Sequence, residues 1–256
     1  DLGIVSDAKL ALQALLRVAR EVTPKRSGSD WCRKCVEYRR LQRKMDFDNV
    51  PVKPQRVFKE LNEFFDADTV FVTAIGLYQI WSGQFQQISK PGTYFCCGQA
   101  GPLGWEVPAC MGVKLARPHA QVVGVVGDYS FQFLPADVGT AVQYEVPYVL
   151  VMLNNGYLSL IRQPEKYLYD MNFAVDIGYE GGYGPDFVKV MEGFHALGRK
   201  VERPEEIKPA LEWAVKESNR RKRPALVEII VERETDASMG VSLDKVIERE
   251  PVEDLP

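Results

Sequence analysis

Apolar side chains recur in two rhythms along this chain. Near the N-terminus Leu10, Leu12, Leu15, Leu16 and Ala19 mark one helical face, so residues 1–20 read as the end of a strand followed by an amphipathic helix. Residues 21–54 lose that pattern. They are basic, polar and proline-bearing, from Thr23-Pro24-Lys25 to Pro51-Val52-Lys53-Pro54, and read as a connector with a helical middle. From Gln55 onward short apolar runs alternate with longer stretches of helical periodicity. The runs Thr69–Thr73, Thr93–Cys96, Val122–Val126, Tyr148–Leu153, Gly198–Val201 and Ala225–Val231 are expected strands. Gln55–Phe65, Leu77–Ile88, Gly104–Ala116, Pro135–Tyr144, Leu158–Tyr169, Asp186–His195 and Glu205–Asn219 are expected helices. Strands that alternate with helices predict a doubly wound α/β fold: a parallel, six-stranded sheet with helices on both faces, preceded by a helical linker. Runs such as Val122-Val123-Gly124-Val125-Val126 suit strands buried on both faces.

Composition narrows the partners. The net charge of −3 gives no electrostatic case for nucleic acid or an anionic membrane surface. The basic run Arg39–Lys44 therefore reads as a solvated helix face rather than a nucleic-acid patch. No apolar run reaches the ~18 residues of a membrane-spanning helix. The start, Asp1-Leu2-Gly3-Ile4-Val5, has neither an initiator Met nor a signal-peptide pattern, and reads as the interior of a longer chain. Five cysteines without regular spacing fit a reducing, cytoplasmic compartment. Cys32-Arg-Lys-Cys35 has the spacing of half a zinc site but no second pair follows; an ordinary pair on a helix is the simpler reading.

The chemistry concentrates between Val122 and Gln163. One apolar run ends in Gly127-Asp128. A second ends in Asn154-Asn155 roughly two dozen residues later, a workable length for one βαβ unit. Both pairs then sit at carboxyl ends of strands, where open α/β sheets bind ligands. A carboxylate beside an amide oxygen offers hard ligands of the kind Mg²⁺ takes along with phosphate oxygens and water. A helix following Gly127-Asp128-Tyr129-Ser130 would aim backbone N–H groups at the same place and favour an anion. The residues alone leave two readings open: a metal-bridged diphosphate site, or a Gly-Asp turn and an Asn-Asn cap of purely structural use.

The Gly-Asp to Asn-Asn spacing resembles the signature of thiamine-diphosphate enzymes. The resemblance implies that Asp128 and Asn155 bind Mg²⁺ through their side chains and Tyr157 through its backbone carbonyl. It also places Gly76, Gly127 and the backbone of Tyr129 and Ser130 against the cofactor. Tyr129 stands where the family's motif has Gly, a departure that leaves the metal ligand in place. Three stretches, Thr73–Ile80, Cys97–Trp105 and Asn154–Gln163, together with Glu232–Gly240, resemble the glyoxylate carboligases (tartronate-semialdehyde synthases) over nearly the whole chain. By that resemblance Leu103 wedges beneath the cofactor and keeps it bent, backbone groups of Gly101 and Leu103 hold the pyrimidine, and Ile75, Leu158 and Ile161 line the reaction pocket. Plain packing is the alternative role for these four apolar residues. Arg162 is a cation suited either to a carboxylate substrate or to a structural ion pair.

The same resemblance divides the chain into the end of a middle domain (1–20), a partly helical linker (21–54), a pyrophosphate-binding domain (55–232) and a C-terminal tail (233–256) that wraps a neighbour or the surface. It implies that two glyoxylates are condensed to tartronate semialdehyde with loss of CO₂. The active site would be completed by a pyrimidine-binding domain of the same or a partner subunit, in a homo-oligomer (a homotetramer) whose FAD is bound mostly outside these residues. A chain with only this half is expected to be inactive alone. Two other readings stand beside it: an acetolactate-synthase-like carboligase acting on pyruvate, and a non-catalytic diphosphate-binding module.

Overall fold

The computed structural model describes residues 3–23, 28–41, 44–179, 182–233 and 235–237. It forms two compact units, one up to Arg43 and one from Lys44. The first contains α1 (Ala8–Val22) and α2 (Asp30–Leu41). Asp7 caps α1 by accepting the Leu10 N–H at 3.1 Å. The expected stripe is present, with Leu10, Leu12, Leu15 and Leu16 all exposed. Among the described residues no strand precedes it. Gly3–Asp7 is irregular, and a strand needs a neighbour for its backbone groups.

The second unit carries α3 (Pro54–Phe64), β1 (Val70–Thr73), α4 (Leu77–Phe85), β2 (Tyr94–Cys96), α5 (Glu106–Ala116), β3 (Val122–Gly127), α6 (Asp128–Phe131), α7 (Ala136–Gln143), β4 (Val149–Asn154), α8 (Ser159–Pro164), α9 (Phe187–Gly193), β5 (Leu197–Val201), α10 (Ile207–Arg221) and β6 (Ala225–Ile230). The sheet is the predicted one: six parallel strands in the order β2-β1-β3-β4-β6-β5. Alternate residues of each inner strand feed opposite layers. Val123, Val125, Val149, Val151, Ala225 and Val227 pack against α3, α4 and α10. Val122, Val126, Leu150, Met152 and Leu226 pack against α5, α7 and α9. Gly124 is small because α5 comes close there. A Cβ would lie 2.6 Å from Leu150 Cδ2 and 2.8 Å from Cys110 Sγ.

Several boundaries differ from the sequence expectation. The compact unit starts at Lys44, ahead of Gln55, and Val52 joins it by bridging to Val231 just past β6: its N–H donates to Ile230 O and its carbonyl accepts from Glu232 N. The helix expected over Leu158–Tyr169 is α8 followed by a wider π turn, Glu165–Tyr169, since Pro164 has no N–H to continue the ladder. The single helix expected to follow Gly127-Asp128 is instead the one-turn α6, a break at Leu134-Pro135, and then α7. One turn carries little macrodipole, so the anion argument reduces to individual amides. Of the tail, Thr235, Asp236 and Ala237 are buried in this unit's own core; residues 238–256 lie outside the described residues, as do the side chains over most of Arg39–Lys44.

Candidate functional site

From β1 the chain turns outward to β2, then crosses back to β3 on the other side of β1. The connections after β1 and β3 therefore leave toward opposite faces: α4 packs with one core layer, α6 and α7 with the other. The divergence opens a crevice at the carboxyl edge of the sheet. A cleft of about 230 Å³ occupies it. Its walls come from the turns after β1, β3 and β4 and from the segment Gly101–Leu103.

The expected cofactor, metal and pocket residues line this one cleft: Ile75, Gly76, Gly101, Leu103, Gly127, Asp128, Tyr129, Ser130, Asn155, Tyr157, Leu158 and Ile161, whereas Arg162 does not line it and lies 4.4 Å from the centroid of the Tyr157 ring. Ile161 stands at the rim, 55% exposed. Strands β3 and β4 are neighbours in register, Gly127 opposite Leu153, so their terminal residues emerge side by side. The Gly156 N–H, at the end of β4, donates to Asp128 Oδ2 at 2.9 Å and ties the two turns together. The two asparagines diverge. Asn154 is fully buried and donates to Glu228 Oε1 at 2.7 Å, joining β4 to β6. Asn155 faces the cleft, where its Oδ1 accepts the Tyr157 N–H at 3.2 Å and its Nδ2 donates to Ser159 Oγ at 2.5 Å. The Tyr157 carbonyl accepts the Ser159 hydroxyl at 3.3 Å.

Asp128 is 3% exposed, and none of the ion pairs among the described residues involves it. Burial raises its carboxyl to about 7, although the Tyr129 and Gly156 amides pull the other way. The Tyr129 amide thus serves Asp128 itself, not only the anion expected to lie above it. A buried carboxylate, an amide oxygen and a peptide carbonyl make an all-oxygen donor set, the kind Mg²⁺ accepts, and a divalent ion would relieve the stranded charge. The residues present therefore fit a metal-bridged diphosphate. Among the described residues no group of three or more His, Cys, Asp or Glu is placed to hold a metal ion, and Cys32 and Cys35 are both exposed on α2.

Beneath the cleft lies a polar group that the sequence did not single out. The Tyr78 ring fills the space beside two glycines; a Cβ at Gly76 or Gly127 would approach it to 2.3 and 2.7 Å. Tyr78 Oη lies 3.1 Å from Glu106 Oε1 and 3.0 Å from Ser130 Oγ, and the Gly104 N–H donates to Ser130 Oγ at 2.8 Å. Glu106 is fully buried, and its Oε2 finds no hydrogen-bond partner among the described residues. Burial raises its carboxyl to about 7, against the Ser130 and Tyr78 hydrogen bonds. The one visible signal was an acid inside the apolar run Trp105-Glu106-Val107-Pro108-Ala109-Cys110.

Comparison with known proteins then identifies the fold's lineage. Residues 74–229 match the family model described as thiamine pyrophosphate enzyme, C-terminal TPP binding domain. The chain belongs to the thiamine pyrophosphate enzymes. Within that family it is 45% identical to the glyoxylate carboligase of Escherichia coli O157:H7, over 99% of this chain and 44% of that protein. It is 30% identical to a probable acetolactate synthase large subunit of Methanocaldococcus jannaschii, over 91% of this chain and 39% of that one. The chain thus spans less than half the length of either relative. A thiamine diphosphate-dependent 4-hydroxybenzoylformate decarboxylase from Rhodococcus jostii RHA1 superposes with a TM-score of 0.64 at 26% identity, covering 74% of this chain and 34% of that structure. The matched family region spans all three turns of the cleft. No helix among the described residues is long and apolar enough to cross a membrane.

Proposed function

We propose that this thiamine pyrophosphate enzyme chain holds the diphosphate of the cofactor through Mg²⁺, and that the complete protein joins two glyoxylates into tartronate semialdehyde with release of CO₂. The observation that carries the substrate is the 45% identity to a glyoxylate carboligase along 99% of the chain, against 30% to an acetolactate synthase. The observation that supports the metal is the buried, unneutralised Asp128 beside Asn155 and the Tyr157 carbonyl.

The residues divide the work. Asp128, Asn155 and the Tyr157 carbonyl would hold the ion, and the backbone of Tyr129 and Ser130 would face the diphosphate. Gly76 and Gly127 would present backbone to the cofactor, and their lack of a side chain leaves room for the Tyr78 ring behind them. Leu103 would support the cofactor, and backbone groups of Gly101 and Leu103 would hold its pyrimidine. When bound, the cofactor supplies the nucleophilic carbon and the electron sink for decarboxylation. Ile75, Leu158 and Ile161 give that reaction a wall of low polarity, which favours loss of a carboxylate's charge and keeps water from the reacting carbon. A pyrimidine-binding domain, from the same or a partner subunit of a homo-oligomer, completes the pocket, and FAD binds mostly outside this chain.

The test uses the full-length enzyme. Asp128→Ala and Asn155→Ala are expected to abolish Mg²⁺-dependent binding of thiamine diphosphate, read by calorimetry; undiminished affinity in either removes the metal assignment. Product analysis with glyoxylate and with pyruvate decides the substrate. Formation of acetolactate alone transfers the protein to the pyruvate-using reading, and cofactor binding without either product makes it a binding module.

A further inference from the structure

The turn that follows β4 is gripped from behind by an arginine that lines no part of the cleft. Past its last strand residue, β6 keeps its partner: the Val231 N–H donates to Asn154 O at 2.9 Å. Two residues on, Arg233 folds back over the turn. Its Nε donates to the Asn155 carbonyl at 3.1 Å, and one terminal nitrogen donates to the Gly156 carbonyl at 3.3 Å and to Asp176 Oδ1 at 2.7 Å. The guanidinium lies 3.9 Å from the centroid of the Tyr157 ring. Three consecutive residues, Asn155, Gly156 and Tyr157, are therefore held by one side chain.

The Asn155 carbonyl and the Gly156 N–H belong to the same peptide unit. Arg233 binds its oxygen, and Asp128 Oδ2 accepts its N–H at 2.9 Å. A cation on the carbonyl polarises the amide and strengthens the bond that its N–H makes on the other side. The guanidinium fork also fixes the plane of that peptide, and with it the direction of the Asn155 side chain and of the next carbonyl along. Asp176 balances the charge, its carboxylate forming an ion pair with the Arg233 guanidinium at 2.7 Å. The clamp is thus close to neutral and adds little repulsion toward a cation in the cleft.

We propose that Arg233 is a positioning residue for the metal site, acting through the 155–156 peptide to set both the Asp128 carboxylate and the Asn155 amide. This inference rests on the functional reading above. Groups that orient metal ligands from behind typically contribute about 10- to 100-fold to metal affinity.

The experiment is a Mg²⁺ titration of the full-length apoenzyme at saturating thiamine diphosphate, without substrate, followed by calorimetry and by the fluorescence of Trp81, which lines the cleft. Arg233→Ala is expected to weaken Mg²⁺ binding at least about tenfold, and Arg233→Lys to recover part of it, since one ammonium replaces the charge but not the fork. Arg199→Ala is the control. It removes a guanidinium stacked on Trp213 at edge strand β5, and Mg²⁺ affinity is expected to stay at the wild-type value. Should Arg233→Ala not fold, Arg233→Gln carries the same expectation of weakened binding. Wild-type Mg²⁺ affinity in Arg233→Ala or Arg233→Gln overturns the proposal, however far its Tm falls, because a merely structural arginine changes Tm and not affinity. If the wild-type enzyme itself binds no Mg²⁺ with the cofactor, the functional reading fails first and this inference with it.

Discussion

Asp128 and Glu106 are buried carboxyls that both titrate near neutrality, and their consequences differ. Each has a folded-state value, about 7, above that of the unfolded chain. For a raised acid the stabilising, protonated form is fully present below the unfolded value. The contribution is lost as pH climbs toward the folded one. At Asp128 a divalent ion would select the ionised form. Mg²⁺ binding at about pH 6 is therefore expected to release protons, with affinity rising through about pH 7 and levelling above it. Calorimetry in buffers of different ionisation heat measures the release; none at pH 6 contradicts the assignment. Glu106 has no such ligand. It faces the hydroxyls of Tyr78 and Ser130, with the Cys97 and Cys110 thiols close enough to be felt. Glu106→Gln should leave the apoprotein's stability nearly unchanged near pH 4.5 and raise it progressively up to pH 7, by at most on the order of 3 kcal/mol, with Tm rising in step. A Tm difference independent of pH would show that Glu106 does not ionise across this range.

At the scale of elements, the contact between β3 and α5 is close enough to be tested by a single methyl group. Gly124→Ala pushes a methyl into Leu150 Cδ2 and Cys110 Sγ. It is expected to destabilise the protein by roughly 1–3 kcal/mol, and Cys110→Ala in the same chain should recover part of the loss in a denaturant titration. The helix and strand pattern that places this contact was legible in the sequence because the inner strands are apolar on both faces, as in Val122–Val126. The segments that leave the strand ends were less legible. Pro164 diverts α8 into a π turn, and Leu134-Pro135 separates α6 from α7; such breaks depend on how the chain packs back onto the sheet. Asp128 and Asn155 were readable as a pair because a parallel crossover must return both to one edge. Arg233 was not. Its grip arises only because β6 runs past the end of β4, a register that no local pattern encodes. Glu106 was visible as an odd acid in an apolar run, yet nothing nearby in sequence named Tyr78, which lies a full crossover away, as its partner.

For the molecule as a whole, a polypeptide of these 256 residues should bind cofactor and metal weakly and turn over neither glyoxylate nor pyruvate. Steady product formation by it alone would contradict the need for a second, pyrimidine-binding domain. The sheet order adds a consequence of another kind. The walls of the cleft hang from β1, β3 and β4, and the arginine behind them from β6, so strands from early and late in the chain must all be zipped before a binding surface exists. Occupancy then reports on global rather than local opening. A bound diphosphate should slow amide exchange in central strands far from any atom it touches, and a nick anywhere between Val70 and Ile230 that unravels one strand should empty the whole crevice at once.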